Sequence, residues 1–359
     1  MKLILAHDYL VQMGGAERVV AAMHSCFPSA PIYTSAVDRQ GLWPELRNAE
    51  IRTSWMQHLP LVKHHTHFKK YFMLYPSAFR SFGEVSADVA WISSSTFAKY
   101  LRPSPGTRTI CYLHNTTRFL WQGDSYLAGE VAFRPLQAFL KLLLPRLRAM
   151  DREATAKMDV LIANSRNVQR RIRENYGLDS IVINPPADTG RFELCPADEG
   201  YYLVVSRLLA YKDIALAVQA FSKASRRLIV IGEGPDRCRL ESLAGPSVRF
   251  LGRLDDIETT RHYAGCRALI FPGEEDFGIT PLEAMACGKP VIALAKGGAL
   301  ETVIDGETGI LFTESTPESL IQAVASCETK TWNQQALRNH ALTFSREHFT
   351  AQMAKIINA

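Results

Sequence analysis

The 359-residue sequence has no apolar run that approaches the roughly 18–20 residues needed to span a membrane as a helix. Its opening, MKLILAHDYL, is too short and too soon interrupted by polar residues for a signal peptide. Hydrophobic residues make up 47% of the chain and charged residues 21%, the proportions of a folded globular protein. The sequence therefore predicts a cytoplasmic protein, with peripheral attachment to the inner face of the cytoplasmic membrane as a further possibility.

Cysteine pairs at metal-binding spacings are also missing. The seven cysteines (positions 26, 111, 195, 238, 266, 287 and 327) are odd in number and contain no C-x-x-C. This pattern favours reduced thiols in a cytosol and argues against a structural zinc site. Histidines His64, His65 and His67 lie in the basic aromatic stretch 58–82 without i,i+4 pairing or nearby acidic ligands. We therefore predict no metal and no cofactor, and we interpret 58–82 as either a membrane or lipid-acceptor contact or an ordinary basic helix.

The first predicted strand is followed by a glycine pair instead of the G-x-G-x-x-G motif. The strand ends at His7-Asp8-Tyr9, and VQMGGAER (11–18) precedes a helix. Without G-x-G-x-x-G, a bound dinucleotide cofactor is disfavoured. A glycine pair still allows the backbone to approach a ligand closely. We therefore place Gly14 and Gly15 in the candidate site, with Asp8 as a weaker candidate for acceptor binding.

Positive charge is concentrated in the first half of the chain. Residues 1–186 carry 23 Lys and Arg against 14 Asp and Glu (23 − 14 = +9), and residues 187–359 carry 18 against 22 (18 − 22 = −4). The excess suits an anionic acceptor or membrane surface, and an unevenly charged solvated surface explains it almost as well. No recognition motif for nucleic acid is present, so that partner is rejected.

Short apolar segments alternate with helical segments in both halves, which predicts two parallel α/β sheets. The proline-rich stretch 184–198 interrupts the alternation and predicts a linker. We expect domains over 1–186 and 187–344 and a last helix over 345–359. First-half strands are predicted at Leu3–His7, Pro31–Thr34, Val89–Ile92, Thr109–Leu113, Val160–Ala163 and Ile181–Ile183, with helices at Glu17–Cys26, 135–157 and Arg166–Tyr176. The second alternation comprises Tyr202–Val205, Leu216–Phe221, Arg227–Ile231, Val248–Phe250, Ala268–Phe271, Pro290–Ala293 and Gly309–Phe312.

The most informative segment is GEEDFGITPLEAMACGKPVIA (273–293), in which Glu275 and Glu283 are eight positions apart. It predicts a strand, an acidic loop and a helix that begins near Thr280 and ends at Gly288. Gly278, Ile279 and Thr280 would present unpaired backbone N–H groups, which suit a phosphate. Carboxylates beside a phosphate favour neutral hydroxyl groups as partners. Phosphate flanked by hydroxyl-rich groups describes a sugar nucleotide.

A pair of cations follows the first strand of the second half. In SRLLAYKD (206–213), Arg207 and Lys212 can converge on one anionic group, Arg as a planar fork and Lys as a point charge. A pair of loop salt bridges is the alternative. The glycine-rich turn at Gly232 and the segment around Gly252 and Arg253 follow the next two strands, where open α/β sheets bind ligands.

These motifs together resemble the retaining family-4 glycosyltransferases, strongly over about residues 200–312 and more weakly over the first half. The resemblance implies the GT-B fold: two Rossmann-like domains facing a cleft, with the last helix crossing back to the first domain. It implies that Glu275 contacts the donor sugar and Glu283 the nucleotide ribose. Arg207 and Lys212 would then bind the diphosphate, and Gly252 and Arg253 would meet the base.

The resemblance also bears on the first half. Retaining relatives carry a histidine at the position of His114, where it contacts the donor sugar. Arg118, four residues further on, is a weaker candidate for acceptor binding. The runs EEDFGITP and GGALET are similar to those of bacterial mannosyltransferases of O-antigen and capsule assembly. They imply GDP-mannose as donor and a polyprenyl-diphosphate-linked saccharide as acceptor, with metal-independent transfer.

Three alternatives stay open from the sequence. The same transfer could use a UDP-sugar. A non-hydrolysing sugar-nucleotide epimerase would share the architecture, although no acid and base carboxylates are clearly paired for it. A catalytically silent nucleotide-sugar-binding subunit would share the binding residues.

Overall fold

The computed structural model describes residues 1–63, 71–121 and 134–359, with the backbone alone for 134–141. His64, His65 and His67 lie outside the described residues, as does the centre of the 58–82 stretch. The chain divides into two units. One comprises Met1–Asn184 together with Thr350–Ala359, and the other comprises Pro185–Phe349.

The first unit is built on a seven-stranded parallel sheet. The described part of this unit contains the strands β1 Leu3–His7, β2 Ile32–Thr34, β3 Ile51–Thr53, β4 Glu84–Val85, β5 Val89–Ser94, β6 Arg102–Pro103, β7 Arg108–Leu113, β8 Val160–Ala163 and β9 Ile181–Val182. Strands β4 and β6 form a separate small pair outside the seven-stranded sheet. The sheet order is β3-β2-β1-β5-β7-β8-β9. Strands β1 and β5 are buried along their whole length because helices cover both faces of a parallel sheet.

Helices of the first unit follow these strands. They span Gly15–Cys26, Tyr75–Arg80, Arg118–Trp121, Arg134–Ala156 and Arg166–Tyr176. The last helix, Arg346–Asn358, contributes Thr350 onward to this unit, where the Arg108 guanidinium donates to the carbonyl oxygen of Ile356 at 2.7 Å.

The second unit contains a six-stranded parallel sheet in the order β12-β11-β10-β13-β14-β15. Its strands are β10 Tyr202–Val205, β11 Leu228–Ile231, β12 Val248–Gly252, β13 Ala268–Phe271, β14 Val291–Leu294 and β15 Gly309–Phe312. Its helices are Ile214–Lys223, Arg237–Ser242, Asp256–Gly265, Thr280–Ala286, Ala299–Thr302, Pro317–Glu328 and Gln334–Leu342. Two apolar clusters form the core of this unit.

The prediction of two parallel α/β sheets is confirmed, and most strand and helix ranges agree to within two residues. The sequence reading omitted the edge strand Ile51–Thr53, since IRT is too short and too polar to stand out. Leu216–Phe221 lies inside the helix Ile214–Lys223 because its apolar residues recur at helical spacing. The helix predicted near Thr280 begins there, with Pro281 in its first turn, and Gly288 adopts a positive φ of 77° just after it.

A buried ion pair anchors the segment that follows β7. The Lys99 ammonium lies 2.7 Å from the Asp151 carboxylate, and each side chain is only 1% exposed. Asp151 also accepts hydrogen bonds from the Thr117 hydroxyl (2.9 Å), the Trp121 indole (2.8 Å) and the Tyr176 hydroxyl (2.8 Å). One carboxylate therefore joins the helices Arg118–Trp121, Arg134–Ala156 and Arg166–Tyr176.

Candidate functional site

Two of the predicted site residues meet at the carboxyl end of the second sheet. Lys212 closes a short turn after β10, and Glu275 lies in the loop after β13, the strand next to β10. The Lys212 ammonium donates to the Glu275 carboxylate at 2.7 Å. The two side chains are 14% and 23% exposed, so this ion pair is accessible from solvent. Ligands bind open α/β sheets at this edge.

Glycines allow the loops around this pair to pack backbone against backbone. A Cβ at Gly273 would lie 2.3 Å from the carbonyl oxygen of Lys212, and one at Gly298 would lie 2.2 Å from the Cα of Phe277. The Gly298 N–H also donates to the Glu275 carbonyl oxygen at 2.9 Å. Any other residue at Gly273 or Gly298 would push the loops apart, so these glycines fix the position of the ion pair.

The glycines predicted near the nucleotide shape the next two strand ends. Gly232 has φ = 134°, and a Cβ there would lie 1.9 Å from the carbonyl oxygen of Ser206. Its N–H donates to the Gly252 carbonyl oxygen at 2.8 Å, and Gly252 has φ = 73°. Arg253 follows as an exposed residue. Contacts of Gly252 and Arg253 with a base stay predictions.

The remaining predicted donor residues flank the ion pair in the chain. Arg207 begins the same loop as Lys212 and is exposed. Gly278 has φ = 89°, and a Cβ there would lie 2.7 Å from the Phe271 ring, so glycine is required. Ile279 and Thr280 are half-buried at the start of the helix Thr280–Ala286.

Glu283 is placed in a separate set of contacts. It is 6% exposed and accepts a hydrogen bond from the Tyr263 hydroxyl at 2.9 Å. The Arg191 guanidinium lies 3.8 Å from the other carboxylate oxygen and pairs with Asp256 at 2.8 Å. The structure therefore joins Lys212 to Glu275 directly, and it places Glu283 beside the buried Tyr263 and the partly exposed Arg191, which sequence reasoning did not identify.

The predicted residue His114 lies at the carboxyl end of β7 in the first unit. Its Nε2 is 2.8 Å from the Ser93 hydroxyl, which lies 3.0 Å from Nδ1 of His7. Nε2 of His7 faces the Glu17 carboxylate at 3.8 Å. Burial, and after it the neighbouring His7, lowers the pKa of His114 to about 3, so its imidazole is neutral near pH 7.

Asp8 is engaged by the loop that follows β5. Its carboxylate is 1% exposed and accepts five hydrogen bonds, one from the Ser94 hydroxyl (3.2 Å) and four from the backbone N–H groups of residues 95–98 (2.6–2.9 Å). These contacts give Asp8 a role in ordering the loop. Its contact with an acceptor stays a prediction, as does that of Arg118, which begins the helix Arg118–Trp121.

The glycine pair of the first unit begins the helix Gly15–Cys26. A Cβ at Gly14 would lie 2.6 Å from the Glu17 carboxylate. Gly14 therefore makes room for a buried acid, which is 2% exposed, and Gly15 is the first residue of the helix.

Sequence reasoning missed the partners of these residues. His7 was noted only as the end of a strand, and Ser93 belongs to a serine run at the end of β5 that carries no motif. Arg191 is a lone cation in the predicted linker, and Tyr263 is one tyrosine in an otherwise polar helix. Only the position of His7 and Ser93 at carboxyl strand ends could have indicated them.

A cavity of about 420 Å³ lies at the opposite edge of the second sheet, beside the amino ends of β13 and β14. Its charged lining residues are already engaged, with Arg267 bound to Asp198 at 2.8 Å and Lys289 bound to the Ala197 carbonyl oxygen. None of the predicted site residues lines it, so the ion-pair edge is the better candidate site.

The described residues offer neither a metal cluster nor a membrane-spanning helix. Residues 1–63, 71–121 and 134–359 contain no group of three or more His, Cys, Asp or Glu placed to hold a metal ion. Within the same ranges, no helix has the length and apolar character required to cross a bilayer.

Family models match almost the whole chain. The model described as Glycosyltransferase Family 4 matches residues 13–191, and the model described as Glycosyl transferases group 1 matches residues 190–343. The chain belongs to glycosyltransferase family 4. This is the family that the motifs of the sequence predicted.

Curated relatives are similar over part or most of this chain. An uncharacterized glycosyltransferase of Methanocaldococcus jannaschii is 28% identical over 48% of the chain and 50% of its own length. An alpha-1,3/1,6-mannosyltransferase of Kluyveromyces lactis is 24% identical over 82% of the chain and 69% of its own length. A GDP-mannose-dependent alpha-mannosyltransferase of Mycolicibacterium smegmatis is 30% identical over 52% and 50%. The chain spans about half the length, or less, of the first relatives it matches.

Solved structures share the fold of this chain. Sucrose-phosphate synthase from Thermosynechococcus elongatus superposes with a TM-score of 0.74 at 18% identity, covering 100% of this chain and 98% of that one. HepE from Anabaena, in complex with UDP-glucose, superposes with a TM-score of 0.70 at 19% identity and 100% coverage of both chains. At these identities the likeness shows the fold alone, and the predicted GT-B fold is confirmed.

Proposed function

We propose that this glycosyltransferase is a retaining, metal-independent mannosyltransferase that uses GDP-mannose. Two of the relatives named above are mannosyltransferases, one of them GDP-mannose-dependent, which supports this donor over UDP-glucose. The acceptor we propose is a hydroxyl group of a polyprenyl-diphosphate-linked saccharide in surface polysaccharide assembly. The positive charge of the first half (+9 from 23 − 14) supports an anionic acceptor at an anionic membrane face.

The ion pair of Lys212 and Glu275 carries the proposal. An exposed surface ion pair contributes little to stability, but this one is partly buried between glycine-held loops. A donor diphosphate replaces Glu275 as the anion that pairs with Lys212. Glu275 is then released to accept hydrogen bonds from the sugar hydroxyls. Binding of the donor thus exchanges one charge pair for two sets of substrate contacts.

The other predicted residues complete the donor site in this proposal. Arg207 joins Lys212 on the diphosphate and stabilises the charge that develops as the glycosidic bond breaks. Glu283, oriented by Tyr263, holds the ribose hydroxyls. His114 bonds the donor sugar.

Retention in this proposal follows from same-face attack. The sequence motifs indicate no carboxylate as a covalent nucleophile of the kind that retaining glycosidases require. The acceptor hydroxyl attacks the anomeric carbon as the carbon–phosphate-oxygen bond breaks, and the leaving diphosphate takes the hydroxyl proton. Transfer should continue in the presence of EDTA.

A donor panel tests the nucleotide and sugar together. GDP-mannose, UDP-glucose and ADP-glucose are compared for thermal stabilisation of the protein and for hydrolysis without acceptor. At 100 Kd a ligand stabilises by about 2.7 kcal/mol, which is a readily measured shift. We expect stabilisation by GDP-mannose. Stabilisation by UDP-glucose alone would overturn the mannosyl assignment, and an epimer formed without acceptor would favour an epimerase.

The variant Glu275→Gln tests the ion pair. Loss of one preorganised electrostatic partner lowers kcat by about 10²–10³-fold. The matched control is Glu318→Gln, which breaks the Lys223–Glu318 ion pair of 2.6 Å on the exposed surface of the same unit. The control should retain full activity. Equal activities of the two variants would show that Glu275 does not belong to the site. A wild-type protein that binds the donor but neither hydrolyses nor transfers it would be a catalytically silent binding subunit.

A further inference from the structure

A chain of hydrogen bonds joins His7 to Ser93 and Ser93 to His114 at the carboxyl ends of the neighbouring strands β1, β5 and β7. The Glu17 carboxylate faces the far side of the His7 ring, 3.8 Å from Nε2. Glu17, His7 and Ser93 are 2%, 1% and 0% exposed. The rings of His7 and His114 are nearly perpendicular (88°), with centroids 6.2 Å apart. The chain is therefore buried and geometrically defined.

One backbone carbonyl oxygen determines which atoms donate and which accept in these hydrogen bonds. Nδ1 of His7 lies 3.2 Å from the Ser93 carbonyl oxygen and 3.0 Å from the Ser93 hydroxyl oxygen. A carbonyl oxygen can only accept, so a proton on Nδ1 satisfies both contacts, whereas a lone pair there would face the carbonyl oxygen. The contact of Nε2 with Glu17, at 3.8 Å, is too long for a hydrogen bond. The proton of this chain therefore belongs on Nδ1 of His7.

The Ser93 hydroxyl accepts a hydrogen bond from His7 and donates one to His114. Because its oxygen accepts from His7, its own proton remains for the nitrogen on its other side, Nε2 of His114 at 2.8 Å. His114 is neutral and carries a single ring proton, as its lowered pKa also indicates. With Nε2 accepting, that proton lies on Nδ1.

We propose that Ser93 is a positioning residue, held by His7 and Glu17, that fixes His114 as the neutral tautomer protonated on Nδ1. The Nδ1–H then donates to an oxygen of the donor sugar, a role that rests on the function proposed above. Glu17 contributes by facing Nε2 of His7, so that a flipped His7 ring would lose both its contact with Ser93 and its contact with the carboxylate. The opposite tautomer of His114 would offer the sugar an acceptor and would select a different hydroxyl geometry.

Histidine ¹⁵N NMR tests the tautomer without any substrate. Two-bond ¹H–¹⁵N correlation spectra of the full-length protein separate protonated from unprotonated ring nitrogens, and His114→Gln assigns the His114 signals. We expect wild-type His114 to be protonated on Nδ1. In Ser93→Ala the proton should move to Nε2, the form favoured in water, and Ser93→Thr should restore it to Nδ1. Wild-type His114 protonated on Nε2 would overturn the proposal.

Kinetics provide a second readout. Loss of one orienting neutral hydrogen bond should lower kcat/KM for the donor about three- to tenfold in Ser93→Ala, with recovery in Ser93→Thr. The control is Thr34→Val on β2, since Thr34 pairs in register with His7 and its buried hydroxyl has no partner among the described residues. The control should keep wild-type kcat/KM, and an equal loss in both variants would show a merely structural effect.

The two readouts separate this inference from the proposed function. If His114 carries its proton on Nδ1 but the protein transfers no sugar, the role of Ser93 is retained and the glycosyl-transfer assignment is refuted. If the protein transfers sugar normally while His114 carries its proton on Nε2, the role of Ser93 is refuted and the glycosyl-transfer assignment stands.

Discussion

The variant Asp151→Asn should strongly destabilise the first unit, because it leaves the Lys99 ammonium buried without a counter-charge. Burial alone would lower the pKa of Lys99, but Asp151 and Tyr176 more than offset this and raise it, so the side chain is charged in the native state. After the substitution, its remaining partners are neutral: the Tyr176 hydroxyl at 3.2 Å and the Thr117 hydroxyl at 3.4 Å. Removal of one member of a buried ion pair costs about 3–5 kcal/mol.

This cost can be measured by urea unfolding followed through tryptophan fluorescence. Four of the five tryptophans lie in the first unit, and Trp121 itself donates to Asp151. For a unit of this size the expected loss corresponds to a fall in Tm of roughly 6–20 °C. The double variant Lys99→Met with Asp151→Asn removes the unpaired charge and should recover at least half of the loss. A cost below about 1 kcal/mol for Asp151→Asn, or a double variant as unstable as the sum of the single ones, would refute the reasoning.

Three further outcomes follow from the same structure. Gly232→Ala should destabilise the second unit by about 2–4 kcal/mol, as measured by urea unfolding, and should abolish donor binding in a thermal-shift assay. The control Gly190→Ala, whose Cβ would lie in open space, should change neither stability nor donor binding. Because the pKa of His114 falls to about 3 on folding, the unfolded chain binds one more proton than the folded chain between about pH 3 and 6.5. The free energy of unfolding should therefore decrease as the pH is lowered through that window, and His114→Gln should flatten this slope by up to about 1.4 kcal/mol per pH unit. Thiol titration should find Cys26 and Cys238 reacting first and all seven thiols in denaturant, and a lower total would reveal a disulfide.

The fold could be predicted from the sequence because both units follow one repeated rule. Apolar strands such as VLIA (160–163) are buried on both faces and alternate with amphipathic helices, so the pattern identifies them without tertiary information. This pattern does not identify short polar strands. Ile51–Thr53 becomes a strand because β2 offers it an edge, a fact that three residues of sequence do not contain.

The candidate site was predictable where backbone geometry dictates the residue type. Gly278 and Gly232 have positive φ and no room for a Cβ, so the glycines mark their loops in the sequence. Lys212 and Glu275 were identified by their motifs, but their direct ion pair depends on the adjacency of β10 and β13, which the order of the chain does not show.

The partners of Glu283 and His114 were not predictable for a related reason. A buried polar group must find a hydrogen-bond partner, yet any donor on a neighbouring element can supply it. Tyr263 and Ser93 come from different elements and carry no motif of their own. A motif therefore records the residues whose chemistry is constrained by a ligand, whereas the residues that orient them are constrained only by the fold. The sequence of one chain shows the first group, and only the folded structure shows the second.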